Sequence, residues 1–173
     1  GGGADITSPP VADPPTGYRY GSSANRCSWH VVIPGEEADA RIPEPTGATF
    51  AMYANDRSVR SPRMRSGIPY VKPPYSTITA FDMNTGEIAF RIPNGETPDR
   101  IRNNPALEGV DIGDTGTGNI VPMVTTKNLL VYSDMDHDGS TALLYAIDKK
   151  TGEELDRIEV PAQSRYGMSS WMH

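Results

Sequence analysis

One cysteine, Cys27, stands in a chain of 173 residues. No intramolecular disulfide can form, which excludes the small secreted folds stapled by disulfides. The redox compartment stays open. Positive charge is also scarce: 16 Lys and Arg against 22 Asp and Glu leave a net charge of −6. A general nucleic-acid binder carries the opposite excess, so that class is excluded. No apolar run approaches the roughly 18–20 residues that cross a bilayer. The chain opens Gly1-Gly2-Gly3-Ala4-Asp5, without Met and without the basic-then-apolar segment of a signal peptide.

Glycine and proline are abundant, at 17 and 16 residues. Both interrupt helices, so a helical bundle is excluded and short strands joined by many turns are expected. The length suits one domain, and 36% apolar residues supply a small core. Two parts differ in character. Residues 1–70 read as a Pro/Gly-rich irregular segment with a few short strands, and residues 71–173 as regular sheet. Residues 1–75 hold 11 of the 16 prolines, and proline fixes φ and removes a ladder donor. Trp29–Ile33 and Ala48–Tyr53 each read as one strand. Arg57, Arg60, Arg63 and Arg65 are either an anion-binding patch or, as the simpler reading, a solvated loop.

In the second part the pattern sharpens. Ser76–Asp82 alternates, with Ile78 and Ala80 on one face and Thr77, Thr79 and Phe81 on the other, which is the period of a strand. Asn84-Thr85-Gly86 signals a turn, and Glu87–Ile92 completes a hairpin. Then come Ile120–Thr126, interrupted by Pro122, Leu129–Ser133, Ala142–Asp148 and Glu153–Val160. Four short strands in a meander make one blade of a β-propeller.

The two hairpins repeat one another. Ala80–Glu87 aligns with Ala146–Glu153 without a gap, at a spacing of 66 residues, with five of eight positions identical. Self-similarity at a fixed period marks a repeat architecture. In each copy Ala sits at a crowded inward position, Asp accepts hydrogen bonds from turn amides, and Gly supplies positive φ.

The pattern Ala-x-Asp-x-x-Thr-Gly-x-x-x-Trp resembles the blade motif of the quinoprotein dehydrogenases, which carry pyrroloquinoline quinone (PQQ) in an eight-bladed propeller. Lys72–Phe90, Asn104–Gly109 and Pro161–Gln163 are similar to the C-terminal part of the glucose-dehydrogenase-like branch. The resemblance covers roughly residues 70–173. The motif's tryptophan falls at Phe90 in one copy and Asp156 in the other. A Trp there docks one blade on the next. Phe90 can fill such a pocket and Asp156 cannot.

The resemblance implies an all-β fold, a partial eight-bladed β-propeller with about one complete four-stranded blade (119–160), the second half of the preceding blade, and the opening strand of the next around Tyr166–Trp171. A ring needs closure, so the chain is expected to be the C-terminal fragment of a longer protein. The implied function is a PQQ-dependent dehydrogenase that oxidises an alcohol or aldose and passes electrons to a quinone or cytochrome acceptor. The implied compartment is the periplasm, with attachment to the inner membrane through parts outside this chain. In such enzymes Ca²⁺ polarises the quinone carbonyl as a Lewis acid and an Asp takes the substrate proton. Both sites come from upstream blades, so no catalytic residue is assigned here and this segment alone is expected to be inactive. The alternative is a non-catalytic propeller module for protein–protein contacts. The missing docking tryptophans point to it, and the long Lys72–Phe90 match points to the enzyme.

Two sets of site residues follow. By the resemblance, the loop before the last complete blade lines the quinone pocket, which nominates Thr117, Gly118 and Asn119 for cofactor binding; the simpler reading is a Gly-rich turn. From the residues themselves, Asp134, Asp136 and Asp138 in Asp-Met-Asp-His-Asp-Gly-Ser place hard oxygen ligands at a spacing that suits Ca²⁺. An EF-hand would need Glu where Tyr145 stands. What remains is a structural calcium loop, distinct from the catalytic calcium, or a solvated hairpin loop. Cys27 with His30 lacks a second ligand pair and reads as packing. No phosphate-binding loop, dinucleotide fingerprint or nucleophile elbow is present.

Overall fold

In the computed structural model, residues 3–5, 8–26, 32–34, 37, 53–55, 63–165 and 167–170 are described. The chain divides into two compact units, Gly1–Arg26 with Val71–His173, and Cys27–Tyr70.

The first unit is built on two antiparallel sheets. In sheet one, β1 (Gly3–Asp5) and β2 (Val11–Asp13) share one edge of the long strand β3 (Tyr18–Arg26). Because they pair with different halves of β3, the sheet is four strands wide. Sheet one continues through β6 (Ser76–Asp82) to β7 (Glu87–Pro93). Between β3 and β6 runs the second unit, where β4 (Val32–Pro34) pairs antiparallel with β5 (Tyr53–Asn55). Sheet two is the meander β8 (Met123–Thr125), β9 (Leu129–Met135), β10 (Ala142–Asp148) and β11 (Glu154–Val160). Between β7 and β8 a long linker carries the single-turn helix α1 (Asp99–Arg102) and a 3-10 turn at Pro105–Leu107.

The four-stranded meander expected from sequence is present. Its first strand is shorter than expected and starts after Pro122, which has no amide proton to donate to a ladder. The fold is all-β in its regular part and holds a second complete sheet where half a blade was expected. Its additional strands lie in residues 3–26. Of the opening strand expected around Tyr166–Trp171, residues 167–170 carry no strand, and Tyr166 and Trp171 lie outside the described residues. Residues 29–31 and 48–52, Arg57, Arg60, Cys27 and His30 lie outside them too.

The hairpins of the repeat are equivalent in detail. Ala80 pairs with Phe90, and Ala146 with Asp156. Each hairpin has a bulge one step later, between Ala80 and Phe81 and between Ala146 and Ile147. Asp82 Oδ1 accepts from the Asn84 amide at 2.8 Å, and Asp148 Oδ1 from the Lys150 amide at 2.8 Å. Gly86 and Gly152 have φ of 78° and 80°.

The core lies between the sheets. Tyr20, Ile78 and Ala80 from sheet one meet Val121, Met123, Leu130, Tyr132, Leu143, Tyr145 and Ile147, with Phe90 and Ile92 partly buried against them. Tyr132 and Tyr145 stack with ring centroids 4.6 Å apart. Such a pair adds about 0.5–1.5 kcal/mol beyond its buried area. No helix among the described residues is long and apolar enough to cross a membrane.

Candidate functional site

Antiparallel pairing sorts the connections to two ends. The ends of β3, β7, β9 and β11 and the starts of β6, β8 and β10 lie together, because Ala24 pairs with Ser76, Thr77 with Pro93, and Ala142 with both Met135 and Val160. The interblade linker and the β9–β10 loop therefore share one rim. The tight turns, including Asp148–Gly152, share the other.

On the first rim a cleft of about 280 Å³ is bounded by Arg100, Thr117, Asn119, Asp136, His137 and Asp138. It joins both loops nominated from sequence. The Asp99 amide donates to the His137 carbonyl at 2.9 Å, and His137 Nδ1 lies 3.2 Å from Asp99 Oδ1. The hydrogen bond to the Asp99 carboxylate pushes the His137 pKa up from its ordinary value.

Beneath the cleft lies Asp134, fully buried. Its Oδ1 accepts from Met135 N at 2.8 Å, Asn119 Nδ2 at 2.9 Å and Gln163 Nε2 at 3.1 Å. Its Oδ2 accepts from Thr117 Oγ1 at 2.5 Å and Asn94 Nδ2 at 3.1 Å. Burial pushes its carboxyl above the usual range, against the pull of the Thr117, Asn119, Met135 and Asn94 donors. Beside it, Asn94 Oδ1 and the Tyr145 hydroxyl are buried with no hydrogen-bond partner among the described residues.

The structure thus places Asp134 with Thr117 and Asn119 and apart in role from Asp136 and Asp138. Asp136 Oδ1 accepts from the amides of Gly139, Ser140 and Thr141 at 2.9, 3.0 and 3.3 Å, and Asp138 Oδ1 from Ser140 N at 2.7 Å. These carboxylates, Asp136 half-buried and Asp138 exposed, close the hairpin turn. Among the described residues, no group of three or more His, Cys, Asp or Glu side chains is placed to hold a metal ion. The Asp134, Asp136 and Asp138 set does not fit a shared Ca²⁺: Asp134 is buried with both oxygens taken by five donors, while Asp136 and Asp138 turn theirs to the amides of the hairpin turn.

Thr117, Gly118 and Asn119 do not fit a direct hold on PQQ, a tricarboxylate. The Thr117 hydroxyl and Asn119 amide are spent on Asp134, and Gly118 N donates to Ser76 Oγ at 2.9 Å. A buried carboxylate directly behind them opposes an anionic ligand.

At the other rim, Lys149 Nζ pairs with Asp13 Oδ2 at 2.8 Å, both side chains being almost wholly buried. Thr16 Oγ1 donates to Asp13 Oδ2 at 2.6 Å, Lys149 Nζ donates to the Thr126 carbonyl at 3.2 Å, and the Tyr20 hydroxyl donates to the Lys149 carbonyl at 2.7 Å. Sheet one and sheet two are tied here by charge. Burial alone would raise the Asp13 pKa; the Lys149 and Thr16 donors hold it below the usual carboxylate range. Sequence reasoning singled out neither Asp13 nor Asn94. Lys149 and Gln163 appeared in it only within the Ala146–Glu153 repeat and the Pro161–Gln163 match.

Comparison with known proteins agrees with this geometry. The family described as "Glucose/ethanol/alcohol dehydrogenase, beta-propeller domain", a PQQ family, matches residues 1–173. The chain is 31% identical over 172 residues to the quinate/shikimate dehydrogenase (quinone) of Acinetobacter baylyi, covering 92% of this chain and 20% of that protein. It spans about a fifth of the length of this curated relative. Matched from end to end, and with the hairpins of its repeat in equivalent places in two four-stranded sheets, the chain belongs to the β-propeller domain family of the PQQ dehydrogenases.

Proposed function

We propose that this chain forms two neighbouring blades and part of the rim of a PQQ-dependent dehydrogenase that oxidises a hydroxyl-bearing carbon of a small alcohol or sugar and delivers the electrons to a quinone. The observation that carries this reading is the family match along residues 1–173, laid over two sheets whose hairpins agree down to the bulge. The relative named for a quinone acceptor supports the same electron route. The reading places the enzyme at the periplasmic side of a membrane, where a quinone pool is within reach, with Ca²⁺ as the catalytic ion held by other blades.

PQQ, when bound, supplies the two-electron acceptor. This chain's residues do other work. Phe90 and the buried Asp13–Lys149 pair hold two blades in register. Thr117, Asn119 and the Asp136–Asp138 turn shape a cleft on the rim. Such a cleft orients a small substrate by its shape and by excluding bulk water.

The test is reconstitution of the longer polypeptide that contains this chain. Apo-protein is mixed with PQQ and Ca²⁺ and offered alcohols, aldoses and cyclic hydroxy acids with a quinone-type dye. Dye reduction that depends on PQQ is expected. Failure both to bind PQQ, followed by its absorbance, and to reduce dye with any of the three classes would overturn the reading.

A further inference from the structure

The carboxylate of Asp134 collects donors from four stretches of chain: Asn94 at the end of β7, Thr117 and Asn119 in the linker, Met135 in β9, and Gln163 beyond β11. All five contacts are donors. Only an ionised carboxylate has acceptor capacity on both oxygens for such a set; an amide would turn an NH₂ group towards donors. Among the described residues Asp134 forms no ion pair. A buried charge without a cation is a poor device for stability. Its directional value is high, because each donor is fixed in angle as well as distance.

The donors on one side are wall residues of the rim cleft, Thr117 and Asn119. They are linked to each other, Asn119 N donating to Thr117 Oγ1 at 3.3 Å, and to sheet one, Thr117 N donating to the Asn94 carbonyl at 3.0 Å and Asn94 Nδ2 to the Asn119 carbonyl at 3.2 Å. On the other side, Gln163 belongs to the segment that leaves sheet two. Its neighbour Ser164 is bonded through its amide to Ser133 Oγ at 3.1 Å.

We infer that Asp134 is the positioning residue of the rim: its buried carboxylate sets Thr117 and Asn119 in the cleft wall and fixes the departing chain at Gln163 in the same register. In its consequence for substrate this rests on the proposed dehydrogenase function; in its consequence for the loop it does not. Asp134 touches no reacting atom and acts through the residues it holds.

The experiment uses the longer polypeptide with Asp134→Asn, and with Thr117→Val and Asn119→Ala, which remove one donor each and leave the carboxylate in place. Hydrogen–deuterium exchange is followed by peptide. For Asp134→Asn, exchange is expected to rise about tenfold or more at 115–120 and 163–165 and to stay unchanged at 146–156. The single-donor variants are expected to give a smaller rise, confined to 115–120. In turnover assays the loss should fall on KM more than on kcat, which a general loss of folded protein would not produce. Unchanged exchange at both segments, or a rise spread over both sheets, overturns the inference. If Asp134→Asn does not fold, the donor variants decide it by the same criterion. Absence of turnover in the unaltered protein, with the local exchange response intact, would remove the dehydrogenase reading and leave the positioning role standing.

Discussion

The ring of Phe90 lies against the backbone of Gly152: a Cβ placed on that glycine would stand 2.7 Å from Phe90 Cδ2 and 2.9 Å from Cε2. The aromatic of one hairpin is seated on the glycine of the next copy of the same motif. Gly86, the matching glycine of the first hairpin, has the same left-handed backbone and open space around it.

The pair supplies an internal control. Gly86→Ala is expected to cost about 1 kcal/mol, the strain of positive φ. Gly152→Ala carries that strain and also an overlap that Phe90 must relieve, so a total of roughly 2–4 kcal/mol is expected. Denaturant unfolding of both variants measures the difference. Equal losses would mean that Phe90 yields freely and does not dock.

Lys149→Met should be strongly destabilising, by about 3–5 kcal/mol, because it leaves the buried Asp13 carboxylate without its cation. Adding Asp13→Asn to Lys149→Met should recover part of that loss. Thermal unfolding of the single and double variants checks both expectations. A single variant as stable as the parent would show the pair to be inert.

Tyr145→Phe is expected to stabilise, by about 1 kcal/mol, since a buried hydroxyl without a partner is replaced by an apolar edge. The stack on Tyr132 survives the change. Burial, reinforced by nearby carboxylates, pushes the Tyr145 pKa up to about 12, so the hydroxyl remains protonated through the working range. A fall in melting temperature would reveal a bound water that the hydroxyl serves.

Asp13 and Asp134 should pull in opposite directions with pH. The Asp13 pKa is depressed in the folded chain, so its contribution is present above the ordinary value of 3.8 and is lost as pH falls through its lower folded value. The Asp134 pKa is raised, so the folded chain takes up that proton first, and stability from this group increases as pH falls from its folded value towards 3.8. Unfolding free energies from about pH 7 to about pH 3 for the parent, Asp13→Asn and Asp134→Asn should give difference curves of opposite slope. Parallel curves would contradict the assignment of one group to a cation and the other to an apolar interior.

Much of sheet two was legible because its strands alternate and its turns carry Asp, Thr and Gly in sequence. The repeat read from Ala80–Glu87 and Ala146–Glu153 proved to be a repeat in space. Strand β3 was harder to see. Tyr-Arg-Tyr-Gly-Ser-Ser-Ala-Asn-Arg buries Tyr20, Ser22 and Ala24 on one face, and small polar residues give no apolar period. Ser22 is buried because its hydroxyl accepts from the Val121 amide at 3.0 Å in the linker. Nothing local to Ser22 announces that partner.

The site was legible in part. Thr117, Asn119 and Asp134 were each singled out, for different reasons and for different ligands. Their use on one another joins residues 17 and 15 positions apart with Asn94 and Gln163 from further away.

Local order along the chain determined the hairpins, their turns and the repeat, because a strand's period and a turn's backbone are settled by neighbours a few residues away. The tertiary structure alone decided that residues 3–26 complete the first sheet, that Phe90 rests on Gly152, and that Asp134 faces donors from four stretches of the chain. Those outcomes depend on which groups meet across a packed interface, where a buried charge or hydroxyl is tolerated only if distant segments deliver its hydrogen-bond partners.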